Sequence, residues 1–105
     1  MDGYPVYRNR DCRTWRIFPY LVDVQAEALD GLATRVVIPL TRASGATQFP
    51  LMYLMPAVTL NNHSYIAVTP QLAAIECSVL GARIGMLSTQ SRGIESAIEL
   101  LLHGF

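Results

Sequence analysis

The run Arg35-Val36-Val37-Ile38-Pro39-Leu40 decides the fold class of this chain. Three β-branched residues in succession predict a strand of the kind buried in a small sheet or barrel, and we expect it to end at the proline. Before it, the β-rich segments 4–7, 15–18 and 20–24 predict a first hairpin, with a bulge or an edge position at the intervening proline. An antiparallel sheet is therefore expected from the first half of the chain.

The second half of the chain carries two further strand signals. Segments 57–60 and 65–68 flank Asn61-Asn62-His63-Ser64, in which asparagine tolerates the left-handed conformation of a tight turn, so a second hairpin is predicted. Residues 75–79 predict another strand, whereas residues 41–50 show no sustained period and are expected to form a loop or a frayed, separately paired excursion.

The chain is expected to close with an amphipathic helix. Residues 88–91 are hydroxyl-rich and amide-bearing, as helix starts commonly are, and apolar residues then recur at helical spacing. They are Ile94, Ile98, Leu101, Leu102 and Phe105. Several strands followed by one helix predict an α+β fold, a small antiparallel β-barrel or sheet with a C-terminal α-helix packed on it.

Composition limits the class of protein. The chain has 105 residues, 51% of them hydrophobic and 15% charged, so residues 1–105 are expected to form a single domain with apolar surface left for an interface, such as that of a homodimer. Neither a signal sequence nor a long apolar run is evident, which predicts a cytoplasmic protein without a membrane span. Cys12 and Cys77 have no metal-type spacing and are interpreted as free thiols.

The positive charges are all arginines, and the formal net charge is zero. Four of the eight lie close together, as Arg8, Arg10, Arg13 and Arg16. No glycine-rich phosphate loop accompanies them and no global positive field would attract nucleic acid, so the sequence favours either a solvated loop or a site for an acidic protein segment.

No residue pattern predicts catalysis, a metal or a cofactor. The histidines, His63 in a predicted turn and His103 near the last residue, cannot be paired from the sequence, and neither a zinc motif nor a nucleophile motif is present. Glu99 and His103 share one face of the predicted helix, and Gly104 and Phe105 follow it. We therefore expect the helix end to dock on a partner, with a preference for a cationic group there.

Three stretches together resemble the CcdB family of plasmid and chromosomal toxins. They are Pro5-Val6-Tyr7, the pair formed by residues 21–25 and 35–40, and the closing residues 97–105. The resemblance implies an SH3-like barrel with a C-terminal helix, a homodimer, and a plasmid-maintenance toxin of a type II toxin–antitoxin system. Such a toxin is not an enzyme; it traps the complex of DNA gyrase with cleaved DNA through the gyrase A subunit and is neutralised by the antitoxin CcdA.

The resemblance also assigns roles to individual residues. By position it implies gyrase binding by Ala26, Ala28, Glu99, His103, Gly104 and Phe105, and antitoxin binding by Arg8, Arg10, Arg13 and Arg16. His103 stands where the best-known form of the family has a tryptophan. An antitoxin-binding protein with weak or lost gyrase poisoning is therefore an alternative, and a ribonuclease of the same fold, which would cut messenger RNA, is a further one.

Overall fold

The computed structural model describes residues 3–43 and 53–104. Within them an antiparallel sheet precedes one helix, and three short 3-10 turns connect the strands at residues 27–29, 69–71 and 77–79. The strands are β1 (Tyr4–Asn9), β2 (Tyr20–Asp23), β3 (Thr34–Arg42), β4 (Ala57–Leu60), β5 (His63–Ala67), β6 (Ala73–Glu76) and β7 (Leu80–Leu87), and the helix is α1 (Ser91–His103). The predicted α+β class is confirmed.

The strands form one sheet in the order β4-β5-β3-β2-β1-β7, and β6 pairs with the first half of β3. The sheet curls until its two outer strands meet. A Cβ on Gly85 of β7 would lie 2.7 Å from Cδ1 of Leu60 in β4, so any larger residue there would force the Leu60 side chain to shift. The Asn61 side chain also donates to the carbonyl of Ile84, at 3.4 Å. The result is a half-barrel.

The concave face of the half-barrel holds the core. Val6, Val22 and Ile38 lie opposite one another on β1, β2 and β3, and each is fully buried. Because side chains alternate across a strand, every second residue joins this layer. The helix covers it with Ile94 and Ala97, which are also fully buried. The alternating apolar residues of the strands and the helically spaced apolar residues of α1 therefore pack into one core.

Strand β3 does not end at Pro39, as the sequence predicted; it continues to Arg42. Pro39 lies opposite Leu21 of β2, and its carbonyl accepts from the amide of Val68 on the other side of β3. Proline has no backbone N–H. Because the N–H and C=O of a strand residue point to the same side, the N–H that Pro39 lacks would point to the gap between β5 and β6. No hydrogen bond of the sheet is lost there. Thr41 and Arg42, predicted as loop, therefore belong to a strand.

Two other strand predictions need correction. Residues 15–18 form a turn, in which Trp15 and Phe18 donate backbone hydrogen bonds to the carbonyls of Asp11 and Thr14, at 2.9 and 2.8 Å. Residues 75–79 divide between the end of β6 and a 3-10 turn. Strand β7 was not predicted, because its two glycines, its alanine and its methionine have little β propensity.

The second hairpin is confirmed, with a tighter turn than expected. Asn61 and Asn62 have φ of 51° and 67°, as both central residues of a type I′ turn do, and join β4 directly to β5. His63 is consequently the first residue of β5 and is exposed there. The predicted loop positions 44–50 lie outside the described residues.

Candidate partner-binding surfaces

The last turn of α1 presents apolar side chains outward. Sequence periodicity assigned Leu101 and Leu102 to the buried face of the helix, but they are 36% and 66% exposed. The burial of α1 stops at Ala97, and beyond it only Ile98 and Leu100 are half-buried. The helix therefore ends in an uncovered apolar surface.

Three residues proposed for gyrase binding lie on this same end of the helix. Glu99 and His103 are exposed and one turn apart, so they share a face. Gly104 caps the helix with φ of 81°, and its N–H donates to the carbonyl of Leu100 at 2.8 Å. This left-handed conformation disfavours any residue with a Cβ. Phe105 lies outside the described residues.

The other two residues proposed for gyrase binding lie on the connection between β2 and β3. Ala26 precedes the 3-10 turn and Ala28 is its middle residue, and both are exposed. The Gln25 side chain holds this connection, since its amide donates to the carbonyl of Leu29 at 2.9 Å and accepts from the amide of Val36 at 3.0 Å. Ala26 and Ala28 are thus displayed by a connection that other residues fix.

A buried ion pair fixes the base of the same connection. Asp23 is 3% exposed, and its Oδ2 accepts from Nη1 of Arg35 at 2.6 Å, while its Oδ1 accepts from the amide of Gln25 at 3.0 Å. Arg35 also lies 3.4 Å from Asp30. The hydrogen bond to Asp23 raises the pKa of the Arg35 guanidinium, so Arg35 stays charged.

Tyr4 links the connection to the helix. Its hydroxyl donates to Oε2 of Glu95 at 3.3 Å, and burial together with the carboxylate raises the pKa of Tyr4. The Tyr4 ring lines a polar cavity of about 320 Å³ whose other walls include Gln25 and Glu27. Tyr4 therefore contacts the helix and shares a cavity with the β2–β3 connection, a position that the aromatic strand pattern did not signal.

The four arginines proposed for antitoxin binding do not form one cluster. Arg13 is bound to Asp11 through two hydrogen bonds of 3.1 Å, which lower the pKa of the Asp11 carboxyl. Arg10 points toward β7, where its Cγ would lie 3.1 Å from a Cβ on Gly81. Only Arg8 and Arg16 face a common space.

That space, which we call the arginine cleft, has a volume of about 320 Å³. Arg8 lies over the ring of Tyr20 and Arg16 over that of Trp15, each guanidinium carbon 5.9 Å from the ring centre. Arg42, at the end of β3, completes the cleft and was missed because the strand was expected to stop at Pro39. The residues that define it are Arg8, Trp15, Arg16, Tyr20 and Arg42.

Some kinds of site receive no support from the described part of the chain. Within residues 3–43 and 53–104, no three acidic, histidine or cysteine side chains are grouped as metal ligands would be. His63 and His103 lie on different elements, one on β5 and the other at the end of α1. No helix among these residues is long and apolar enough to cross a bilayer.

Comparisons with known proteins agree with this architecture. A family model described as "CcdB protein" matches residues 3–104. Among solved structures, the Mycobacterium tuberculosis toxin MazF-mt6 is similar, with a TM-score of 0.65 and 15% identity over 95% of each chain. At that identity the likeness concerns the fold alone, a curled antiparallel sheet with a C-terminal helix.

Proposed function

Since the chain belongs to the CcdB family, whose members are toxins of toxin–antitoxin systems, we propose that it is a single-domain cytoplasmic toxin that traps the DNA gyrase cleavage complex. It acts as a homodimer, binds the gyrase A subunit through the end of α1, and is neutralised by a CcdA-type antitoxin. In this proposal it cleaves no bond itself; it stabilises an intermediate of another enzyme by binding it.

The observation that carries the proposal is the uncovered end of α1. Leu102 is 66% exposed beside the Gly104 cap, so a large apolar side chain and an accessible backbone are presented together. Isolated exposed leucines are ordinary, but here the exposure continues from Leu101 through the cap. Such a surface is suited to burial against another protein.

Charge at the same end indicates the chemistry of the partner. The carboxylate of Glu99 and the negative end of the helix dipole favour a cation, and an arginine of gyrase would be attracted there. His103 supplies a flat ring in the next turn. In a homodimer the two helix ends would be presented to the two A subunits of gyrase, with Ala26 and Ala28 at the edges of the contact.

The decisive experiment is a gyrase cleavage assay. The purified chain is incubated with bacterial DNA gyrase and supercoiled DNA, the proteins are denatured and digested, and linear DNA is measured. We expect linear DNA with the native chain. Leu102→Arg should reduce it at least about tenfold, because it places a cation opposite the expected arginine of gyrase, while the helix dipole tolerates a cation at this position.

Ile17→Arg is the matched control. Ile17 is 62% exposed, nearly as much as Leu102, but it lies on the turn between β1 and β2. This variant makes the same chemical change at a site remote in sequence from α1, so it should leave the amount of linear DNA unchanged. Equal loss in both variants would mean that the helix end is not the contact.

An antitoxin-binding protein without gyrase poisoning remains the second candidate. It is favoured by the separation of the two surfaces, since the arginine cleft lies on β1, β2, β3 and the turn between β1 and β2, and shares no residue with α1. Absence of linear DNA, with antitoxin binding retained, would establish this candidate. Cleavage of added RNA in the same incubation would instead establish a ribonuclease.

A further inference from the structure

The polar cavity beside Tyr4 is formed by parts of the fold that are far apart in the sequence. Strand β1, strand β7 and the connection between β2 and β3 each supply polar side chains to it; among them are Tyr4, Tyr7, Glu27, Asp30 and Arg83. Its volume is about 320 Å³, whereas small-molecule sites generally span roughly 300 to 1,000 Å³. The cavity is therefore of the size that holds a small metabolite.

Two irregularities in the sheet bring Tyr7 and Arg83 together at this cavity. The two residues lie opposite each other on β1 and β7, and the register between these strands shifts on both sides of the pair. Both side chains line the cavity. β-bulges re-aim side chains and are common beside active sites. An exposed arginine and a tyrosine are thus presented to the same space.

The buried ion pair of Asp23 and Arg35 forms another wall of the cavity, and it leaves one donor without an acceptor. Arg35 donates from Nη1 to Asp23 at 2.6 Å and from Nη2 to the carbonyl of Asp30 at 3.3 Å. Its Nε is buried and has no hydrogen-bond partner within residues 3–43 and 53–104. A buried N–H without an acceptor costs stability, so such groups generally meet water or a ligand. This wall therefore offers a donor to a molecule in the cavity.

Other groups of the lining are also unpartnered in the part of the chain that the structure describes. Tyr7 and Glu27 form no hydrogen bond and no ion pair there. The Arg83 guanidinium has a contact of 3.9 Å with Sδ of Met86 but no acidic partner. The lining carries one net negative charge, because it holds three carboxylates and two guanidinium groups, those of Asp23, Glu27, Asp30, Arg35 and Arg83. A matching ligand should therefore carry both signs of charge, with the positive one in excess.

These groups define the chemistry of the ligand. The guanidinium of Arg83 suits a carboxylate, which can accept two parallel hydrogen bonds from it. Glu27 and Asp30 are acceptors at neutral pH and suit groups that donate several N–H bonds. A phosphorylated ligand would meet a lining of negative net charge, and within the described ranges no three side chains are grouped as metal ligands. The lining is best matched by a small molecule with one carboxylate and two cationic groups.

We propose that the polar cavity binds a basic amino acid. Its carboxylate is held by Arg83, with Tyr7 and the Nε of Arg35 as further donors. Its side-chain cation is held by Glu27 and its α-ammonium group by Asp30. The inference goes beyond the proposed function and depends on neither gyrase nor an antitoxin. An occupied cavity would join β7 to the β2–β3 connection through the ligand.

Isothermal titration calorimetry of the full chain tests the proposal with matched ligands. L-lysine is the probe, L-norleucine lacks its side-chain ammonium group, and cadaverine lacks its carboxylate. We expect L-lysine to bind with a dissociation constant below about 1 mM, and each of the other two at least about tenfold more weakly, the effect of losing one charge-assisted interaction. L-arginine carries the same charges as L-lysine and should also bind.

The same titrations can overturn the proposal. Absence of saturable binding by both basic amino acids would mean that the cavity holds solvent only. Equal affinity for L-lysine and L-norleucine would reject the site for the side-chain cation, and equal affinity for L-lysine and cadaverine would reject the site for the carboxylate. Either result would contradict the assigned ligand class.

Arg83→Gln locates the carboxylate of the ligand. Arg83 is exposed and forms no ion pair in the described ranges, so the fold should be retained, as circular dichroism would show. We expect L-lysine to bind this variant at least about tenfold more weakly. Arg92→Gln is the matched control, because Arg92 is also exposed and without an ion pair there but lies on α1. Equal weakening in both variants would indicate attraction to overall charge and contradict a specific cavity.

Glu27→Gln locates the side-chain cation. It keeps the size of the side chain and removes its charge, so the preference for L-lysine over L-norleucine should fall from at least about tenfold to less than about threefold. Glu76→Gln makes the same change at an exposed position of β6 and should keep the preference. An unchanged preference in Glu27→Gln would show that the cation binds elsewhere and would contradict the proposal.

Discussion

The side chain of Gln90 pairs with the backbone of the outer strand β4 just before α1 begins. Its Oε1 accepts from the amide of Thr59 at 2.6 Å, and its Nε2 donates to the carbonyl of the same residue at 2.9 Å. The amide side chain therefore reproduces the pairing that a neighbouring strand would make. It fixes the start of the helix against the sheet, and with it the direction in which the other end of α1 points.

We predict that Gln90→Ala lowers the free energy of unfolding by about 1 to 2 kcal/mol. Each of the two hydrogen bonds contributes about 0.5 to 1.5 kcal/mol. The expected loss is smaller than the sum of the two upper values because Thr59 is exposed, and water can replace the lost partners on its backbone. Urea denaturation followed by circular dichroism measures the change. An unchanged slope of the free energy of unfolding against urea concentration would show that the unfolded state is not affected.

Two further variants make this prediction specific. Gln90→Glu keeps an acceptor for the amide of Thr59 and places a negative charge at the helix N-terminus, so we expect a smaller loss than with alanine. Gln71→Ala removes the same side chain from an exposed position where it makes no hydrogen bond within the described ranges, and should cost less than about 0.5 kcal/mol. If Gln90→Ala and Gln71→Ala cost the same, the pairing with β4 contributes nothing and the reasoning is refuted.

Three other predictions concern the rest of the molecule. Arg35→Met should cost about 3 kcal/mol in urea denaturation, because it leaves the buried carboxylate of Asp23 without its cation, and adding Asp23→Asn should restore part of the loss. The pKa values of Tyr4 and Tyr65 are raised above the ordinary 10.0, mainly by burial, so the folded state holds these protons more tightly. The contribution of these two tyrosines to the free energy of unfolding should therefore be constant up to about pH 10 and fall above it. The fall should be gentler in Tyr4→Phe, and the same slope in both proteins would contradict this origin. Asn62 has φ of 67°, so its replacement by alanine should lower the free energy of unfolding by about 1 kcal/mol, whereas glycine should lower it little. Thermal denaturation measures both changes.

The fold was predictable wherever one local pattern controlled one element. The two asparagines at 61 and 62 specify their turn through backbone conformation, and the apolar spacing from Ile94 onward specifies α1. Strand β7 was not predictable in this way, since its glycines serve tertiary packing: Gly85 allows Leu60 to approach, and Gly81 allows the backbone of Arg8 to do so. Contacts between distant strands leave no periodic signal in the sequence.

The grouping of side chains on the candidate surfaces was only partly predictable from the sequence. Charge density along the chain indicated the region around Arg8 and Arg16, yet Arg13 is bound to Asp11, which the two-residue spacing of an Asx turn could have signalled. Arg42 could be found only by extending β3 through Pro39 and applying the register of the sheet. Tyr4 acquires its place beside Glu95 through a contact across 91 residues, which no local pattern reports.

The buried pair of Asp23 and Arg35 has an evolutionary consequence. With Gln25 it anchors both ends of the β2–β3 connection, so the conformation of that connection does not depend on the exposed side chains of Ala26 and Ala28. Substitutions at those two positions should therefore cost little stability. Under the proposed function, in which Ala26 and Ala28 contact the target, a lineage of this protein could change its target by substitutions at these two alanines while keeping the scaffold that displays them.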